Sequence, residues 1–352
     1  MPFEPFERTA IGRTGLAPTR LGFGTAEIGG LYRAVTDEAA AEVVAHAWQV
    51  GVRYFDSAPL YGYGNAERRL GAGLRARPRD DFVISTKVGR LLVPIDEVAP
   101  DADVDRQSSD GVDDANYVST PPVKVVFDYS VDGVLRSVED SLRRLGLDRV
   151  DILYIHDPDD HWEAAIRGAY PALDRLRAEG VVRAIGAGMN QAEMLARFAR
   201  EGDFDVFLVA GRYTLLDQAA MPELLPLCLE KGIAVVIGGV MNSGILADPR
   251  PGAMFNYAPA PPALIERAQR IRAVCERHDV PLRAAAIQFP LAHPAVAALA
   301  AGVRTVEHLD DYPQLMALPL PEDLWSELRA EGLIDPDAPV PGQTAPGMPG
   351  PR

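Results

Sequence analysis

The sequence predicts a (β/α)8 barrel in a single domain. Three observations carry that expectation. Eight short apolar segments alternate with helix-like segments along the chain. The apolar segments have no polar face, as parallel strands buried on both sides require. Finally, no G-x-G-x-x-G follows the first strand, which disfavours a doubly wound sheet, the runner-up architecture. Right-handed crossovers make closure of eight such units natural.

LGFGTA (21–26) reads as the first strand. Residues 36–51 read as a helix, with Thr36 as N-cap, Asp37 and Glu38 in the first turn and Gly51 at the C-terminus. VRYFDSA (52–58) is the second strand, GNAERRLGAGLR (64–75) a helix, and FVISTKV (82–88) the third strand. In the helix over 130–146, Val131, Val134, Leu135, Val138, Leu142 and Leu145 recur at spacings of three and four and mark one buried face. VDILYIH (150–156) is the fourth strand, followed by a helix ending near Gly180. The alternation continues with a strand at 181–188, a helix at 191–201, a strand at 204–213 and a helix at 218–231. A strand at 233–239, helical segments over roughly 262–292, a strand at 295–302 and a last regular helix at 305–316 complete it.

Two segments fall outside the pattern. Residues 96–114, in the long acidic insert after the third strand, hold eight acids against one base, Arg106. Such a connection suits an active-site lid and a solvated insert equally. Residues 335–352 hold six Pro and three Gly, too little apolar surface to order themselves. The expected division is therefore a barrel over 1–334 and a Pro/Gly-rich flexible tail over 335–352.

Composition narrows the function classes. The chain has 352 residues, 47% hydrophobic and 24% charged, with a formal charge of −15. So acidic a surface argues against nucleic-acid or anionic-membrane partners and leaves a small-molecule substrate. Cys228 and Cys275 lie in helix-like segments and form neither a disulfide framework nor a zinc pattern. The acidic start MPFEPFERTA is no signal peptide, and no apolar run approaches membrane length. A cytoplasmic location is expected. Nothing in the sequence reports the oligomeric state.

Polar residues at the C-terminal ends of barrel strands are the functional candidates. Asp56 ends the second strand, Lys87 lies near the end of the third and His156 ends the fourth. Tyr61 follows in the loop after the second. Each has an ordinary explanation alone: a turn or cap for the acid, a solvated tip for the lysine, packing for the others. Together, at three successive strand ends, they converge on one rim. An unpaired ammonium in the apolar STKVG context costs several kcal/mol, so Lys87 needs a partner, and Asp56 on the adjacent strand is the natural one. A lysine beside a phenol is expected to lower the pKa of Tyr61, making it a proton donor or acceptor near neutral pH. His156 can hydrogen-bond the same substrate oxygen. His156-Asp157 alone offers too few ligands for a metal-dependent hydrolase.

At this point the residues resemble a family. Asp56-x-x-x-x-Tyr61-Gly62 followed by Glu67, with Ser85-Thr86-Lys87 and Asp151 to His156, is similar to the signature of the aldo/keto reductases, over about residues 10–320. The resemblance implies a barrel that binds a nicotinamide cofactor without a Rossmann fold. It implies Tyr61 as general acid/base, Lys87 as the partner that tunes it, Asp56 as the partner of Lys87, and His156 as the group orienting substrate.

On the cofactor side, the resemblance assigns Gly24 and Thr25 after the first strand, Asn190 for the carboxamide, and Tyr213 for stacking on nicotinamide. A usual glutamine is replaced by Ala210. Gly239 and Ser243 fall in the stretch that usually reads Y-S-P-L-G. Gly302, Arg304 and His308 fall in the phosphate-binding segment. Gly302 and His308 occupy positions where NADPH-preferring members carry a basic residue, so NAD is expected, with NADP possible through Arg304.

The stretches 186–191, 210–218 and 237–246 are similar to those of aldose 1-dehydrogenases acting on L-fucose and D-arabinose, and of pyridoxal 4-dehydrogenases. The implied function is oxidation of a hemiacetal carbon to a lactone by hydride transfer. An NADPH-dependent aldehyde or ketone reductase, and a cofactor-binding regulatory module with negligible turnover, are the alternatives. Phe127, Tyr129 and Trp162 are candidates for either the pocket wall or the core.

Overall fold

The computed structural model describes residues 2–105 and 116–343. Eight parallel strands close into a barrel: β1 Leu21–Gly24, β2 Tyr54–Asp56, β3 Val83–Val88, β4 Ile152–His156, β5 Ala184–Met189, β6 Val206–Ala210, β7 Ala234–Gly238 and β8 Val296–Gly302. Each pairs with its successor, and β8 returns to β1. The strands are almost entirely buried, which is why their sequences carry no polar face.

The helices form where the caps dictate. Thr36 accepts from the Ala39 amide at 3.2 Å, and Gly51 ends that helix at φ 111°. Ser130 accepts from the Gly133 amide at 3.1 Å and starts the helix Val131–Leu145. That helix buries Val134, Val138 and Leu145, each worth about 1.5–3 kcal/mol. Val131 is exposed in the first turn, so the apolar face begins one turn later than its spacing predicts.

The lumen is filled rather than hollow. Tyr54, Ile152, Tyr154, Val206, Leu208 and Val236 pack within one cluster with Ile11 and Leu16. The N-terminal segment folds back through antiparallel bridges, Arg8 to Thr19 and Ile11 to Leu16, and its tip meets the strand starts. This plugs the N-terminal end of the barrel and leaves the C-terminal rim for chemistry. Gly22 is required inside, because a Cβ there would stand 2.3 Å from Cδ1 of Tyr54.

Several features depart from expectation. The connection after β3 contains an antiparallel hairpin, Arg90–Pro94 with Val123–Phe127. Residues 106–115 of the acidic stretch lie outside the described residues, so the choice between lid and insert falls largely there. The helix expected at 218–231 spans Leu224–Lys231, because 214–223 is taken up by turns. A further helix, Glu322–Ala330, buries Leu324, Trp325 and Leu328. The first part of the expected tail, 335–343, lies against the body: Ala338 and Val340 are buried, and the Ala338 carbonyl accepts from Nη2 of Arg329 at 2.7 Å. Residues 344–352 lie outside the described residues.

Candidate active site

The parallel register sets the rim. Gly24 stands beside Asp56 and Gly302, Asp56 beside Ser85, Lys87 beside Tyr154, and His156 beside Gly188. Asp56 and Lys87 point into the barrel top. Lys87 Nζ donates to Oδ2 of Asp56 at 2.8 Å and to the Ser57 carbonyl at 2.9 Å. The other oxygen of Asp56 accepts from Ser85 Oγ at 2.7 Å. Beneath the pair, the hydroxyls of Tyr54 and Tyr154 lie 3.4 Å apart.

Tyr61 reaches the same place from the loop after β2. The Gly64 amide donates to the Pro59 carbonyl at 2.8 Å, and Gly62, Tyr63 and Gly64 are all left-handed, at φ 61°, 53° and 88°. Gly62 also has no room for a side chain, since a Cβ would lie 2.0 Å from the Gly29 carbonyl oxygen. This turn aims the Tyr61 ring so that Lys87 Nζ is 4.6 Å from its centroid. The His156 ring meets it edge-on at 5.8 Å, and the Tyr117 ring stacks at 6.4 Å.

Tyr61, Lys87 and His156 line one cavity of about 120 Å³, with Leu31, Leu60, Arg90, Asn116, Tyr117 and Asp157 among its other walls. Gly188, Met189, Asn190, Leu208, Ala210 and Tyr257 complete the lining. Three of the four expected catalytic residues therefore share the cavity, and the fourth, Asp56, holds Lys87 from behind it.

The electrostatics correct one expectation. Desolvation pushes the Tyr61 phenol well above its ordinary pKa, with Asp56 adding to the rise and Arg90 opposing it. The ammonium of Lys87 is engaged by Asp56 and the Ser57 carbonyl, and the buried phenol is neutral. Burial, followed by Arg90 and Lys87, pushes His156 well below its ordinary value, so the ring is neutral. Nδ1 of His156 is buried without a partner, while Nε2 lies 3.5 Å from Asp157 Oδ2. Burial raises Asp157 to about 6 against the pull of Arg90.

The cofactor-side residues divide. Asn190 lines the cavity and donates to Asp157 Oδ1 at 3.4 Å. Tyr213 does not reach it. Its ring lies 5.4 Å from both Phe289 and His293. Gly239 is left-handed at φ 61°, and its carbonyl accepts from the Asn242 amide at 2.8 Å. Ser243 Oγ accepts from the Tyr257 amide at 3.3 Å. Thr25 donates to Ser57 Oγ at 2.9 Å.

Gly302 ends β8, and Arg304 and His308 follow at the start of the helix Val306–Ala317, capped by Thr305. Arg304 is paired with Glu27 and donates to the Leu31 carbonyl at 2.8 Å, while its Nε is buried and unpartnered. Leu31 also lines the cavity, so one loop connects both ends of the rim. The amide side chain of Asn190 and the orphan Nε of Arg304 beside a helix N-terminus suit an extended nicotinamide dinucleotide.

Sequence reasoning missed Arg90, Asn116, Tyr117, Asp157 and Tyr257 as cavity walls. Of the aromatic candidates, Tyr129 buttresses the rim by donating to the His156 carbonyl at 2.7 Å. Trp162 packs on Phe198, and Phe127 on Tyr129. Glu67 is structural: it accepts from Thr86 and Arg144, both at 2.6 Å. Cys228 and Cys275 are buried free thiols. Among the described residues, no helix is long and apolar enough to cross a membrane, and no three His, Cys, Asp or Glu side chains are grouped to hold a metal.

Residues 20–331 match the model of the Aldo/keto reductase family. The chain is 44% identical over 329 residues to a D-threo-aldose 1-dehydrogenase of a Pseudomonas species, covering 92% of this chain and 97% of that protein. It is 43% identical over 351 residues to a pyridoxal 4-dehydrogenase of Microbacterium luteolum, covering 95% and 100%. A holo aldo-keto reductase from Bacillus halodurans shares the fold at a TM-score of 0.72 and 24% identity, over 96% of this chain and 99% of that one.

Proposed function

This chain belongs to the aldo/keto reductase family and is a nicotinamide-dependent oxidoreductase, and on that footing we propose that it oxidises the hemiacetal carbon of an aldose of the L-fucose or D-arabinose type, or of pyridoxal, to a lactone. The observation that carries the proposal is the meeting of Tyr61, Lys87 and His156 around one cavity, in a chain so close to two dehydrogenases of such compounds.

When bound, the oxidised nicotinamide supplies the hydride acceptor and a cationic ring. The chain's own groups do the rest. His156, held neutral by burial, donates a ring N–H to the hemiacetal oxygen. Tyr61, in its phenolate form, takes the hydroxyl proton as the C–H bond of the hemiacetal carbon gives up its hydride. The Lys87–Asp56 pair fixes the ammonium 4.6 Å from the centroid of the Tyr61 ring, where its charge favours the phenolate. Asn190 would hold the carboxamide of the bound cofactor.

The preferred cofactor in this proposal is NAD. Arg304 is the cation that would meet a 2′-phosphate, and Glu27 already occupies it. Burial raises the Glu27 pKa and Arg304 lowers it. A carboxylate there would oppose a dianionic phosphate and could accept from a ribose hydroxyl.

The test is a screen of NAD+ reduction over L-fucose, D-arabinose, L-galactose, pyridoxal and a panel of aldehydes, repeated with NADP+. Lactone formation from at least one sugar or from pyridoxal supports the proposal. Turnover confined to aldehyde reduction by NADPH overturns it.

A further inference from the structure

We propose that Arg90 and Asp157 form a hydroxyl-recognition subsite beside the reacting centre, one that selects neutral polyhydroxylated substrates. The assignment rests on the sugar-oxidising reading above and names the part of the cavity that would read the ring hydroxyls.

Both residues line the same cavity as Tyr61 and His156. Arg90 follows β3 and Asp157 follows β4, so the register of two neighbouring strands brings them together. Arg90 is only 6% exposed. Its Nη1 donates to Asp105 Oδ2 at 2.7 Å, which fixes the guanidinium. Its Nη2 lies 3.5 Å from Asp157 Oδ2, and its Nε is buried with no partner.

The side-chain contacts of Asp157 are all long. Its contacts to Arg90, Asn190 and His156 are 3.5, 3.4 and 3.5 Å long, all at the outer edge of hydrogen-bonding range. A buried carboxylate normally holds its side-chain donors at shorter distances. The residue is also held left-handed, at φ 38°, although it is not glycine. A loosely held carboxylate and an unpartnered, buried guanidinium Nε in one cavity wall mark a place prepared for a ligand. A vicinal diol fits: one hydroxyl donates to the carboxylate while another accepts from the guanidinium.

The charge balance chooses among ligands. Lys87 and Asp56 cancel, and His156 is neutral. One guanidinium faces two carboxylates, Asp105 and Asp157, and is left with no net positive charge to offer. The wall therefore disfavours phosphorylated or carboxylated sugars and suits uncharged ones.

The experiment is a cycle of enzyme against substrate. The kcat/KM values of the holoenzyme and of Asp157→Asn are measured with an accepted aldose and with its singly deoxygenated analogues. In the parent enzyme, removal of the hydroxyl read by Asp157 is expected to lower kcat/KM roughly 10- to 100-fold, as for loss of a hydrogen bond to a charged group. In Asp157→Asn, the penalty at that position should shrink to about threefold or less. The ratio of two substrates on one enzyme does not depend on how much of it is folded. Arg90→Lys, which keeps the charge but loses the fork, gives a second cycle if Asp157→Asn is not recovered. Equal penalties in all enzymes at every position remove the subsite while leaving the function intact. A parent enzyme that turns over no sugar removes the functional reading and the subsite together.

Discussion

Lys87 Nζ and Asp56 Oδ2 form an ion pair of 2.8 Å in which the side chains are 1% and 3% exposed. Neither charge can reach water, so each depends on the other. Lys87→Met leaves the Asp56 carboxylate buried with Ser85 as its remaining side-chain donor. Loss of one partner of such a pair costs about 3–5 kcal/mol. Urea unfolding should show that loss, and turnover should fall with it because the cation beside Tyr61 is gone. The double variant Asp56→Asn/Lys87→Met should recover part of the stability and none of the turnover. A single variant as stable as the parent contradicts the pairing.

Tyr61 and Tyr63 sit two residues apart and have different tasks. Tyr61 lines the cavity, within a ring contact of His156 and under Lys87. Tyr63 is 5% exposed and lies against Tyr117. Tyr61→Phe should lower kcat at least about a hundredfold, the usual scale for losing a general acid/base. Tyr63→Phe should keep kcat within about threefold. Steady-state rates on both variants decide the matter, and a Tyr61→Phe enzyme with near-parent kcat sinks the assignment.

Desolvation raises the Tyr61 phenol, and the sign of the pH effect follows. Oxidation needs the phenol oxygen free to accept a proton, so its rate depends on the ionised fraction. That fraction grows with pH, close to tenfold per unit while the pH stays below the pKa. Sugar oxidation should therefore climb through the alkaline range, whereas aldehyde reduction, which needs the protonated phenol, should stay level over the same interval. His156 is held neutral and should add no inflection near its ordinary value. A profile for oxidation that is flat from neutral upward is inconsistent with Tyr61 as the base.

Glu27 occupies the cation at the phosphate end of the rim. Glu27→Gln removes the carboxylate and leaves Arg304 to the Leu31 carbonyl. The ratio of kcat/KM for NADP+ over NAD+ should rise at least about tenfold, since a charge-assisted contact replaces a repulsion. An unchanged ratio would mean that the 2′-phosphate never meets Arg304.

The barrel, its strand ends and the pairing of Lys87 with Asp56 are legible in the sequence, because buried parallel strands tolerate polar residues only where they are partnered or at the rim. What escaped is tertiary. Arg90 reads as a strand-end cation and Asp157 as a turn acid, and only the register of β3 beside β4 joins them. Tyr213 sits in a family-like stretch, and its packing against Phe289 and His293 could not be read from that stretch. The lowered pKa expected for Tyr61 weighed the nearby lysine but not desolvation, which dominates and raises the phenol. The structure shows the Lys87 ammonium donating to Asp56 and to the Ser57 carbonyl. The helix Glu322–Ala330 has its own apolar face at Leu324, Trp325 and Leu328, a periodic signal that stood in the sequence beyond the eighth unit.

Asp157 gives a stability effect separable from catalysis. Burial raises its carboxyl from 3.8 to about 6, with Arg90 opposing, Asp159 adding to the rise and Lys87 and Asn190 lowering it; His156 Nε2 also faces it. A raised folded value means that the native state binds this proton more tightly than the unfolded chain. The associated stabilisation is complete below the unfolded value and is lost as pH rises through about 6. The swing is about 3 kcal/mol at most, from a shift of roughly two units at 1.36 kcal/mol each. Asp157→Asn carries no charge at any pH, accepts the left-handed backbone readily, and leaves Arg90 paired with Asp105 at 2.7 Å. Its unfolding free energy relative to the parent should therefore increase between pH 4.5 and 7.5, as measured by denaturant titration at a series of pH values. A difference that stays constant across that interval shows that the carboxylate at 157 is not held at a cost.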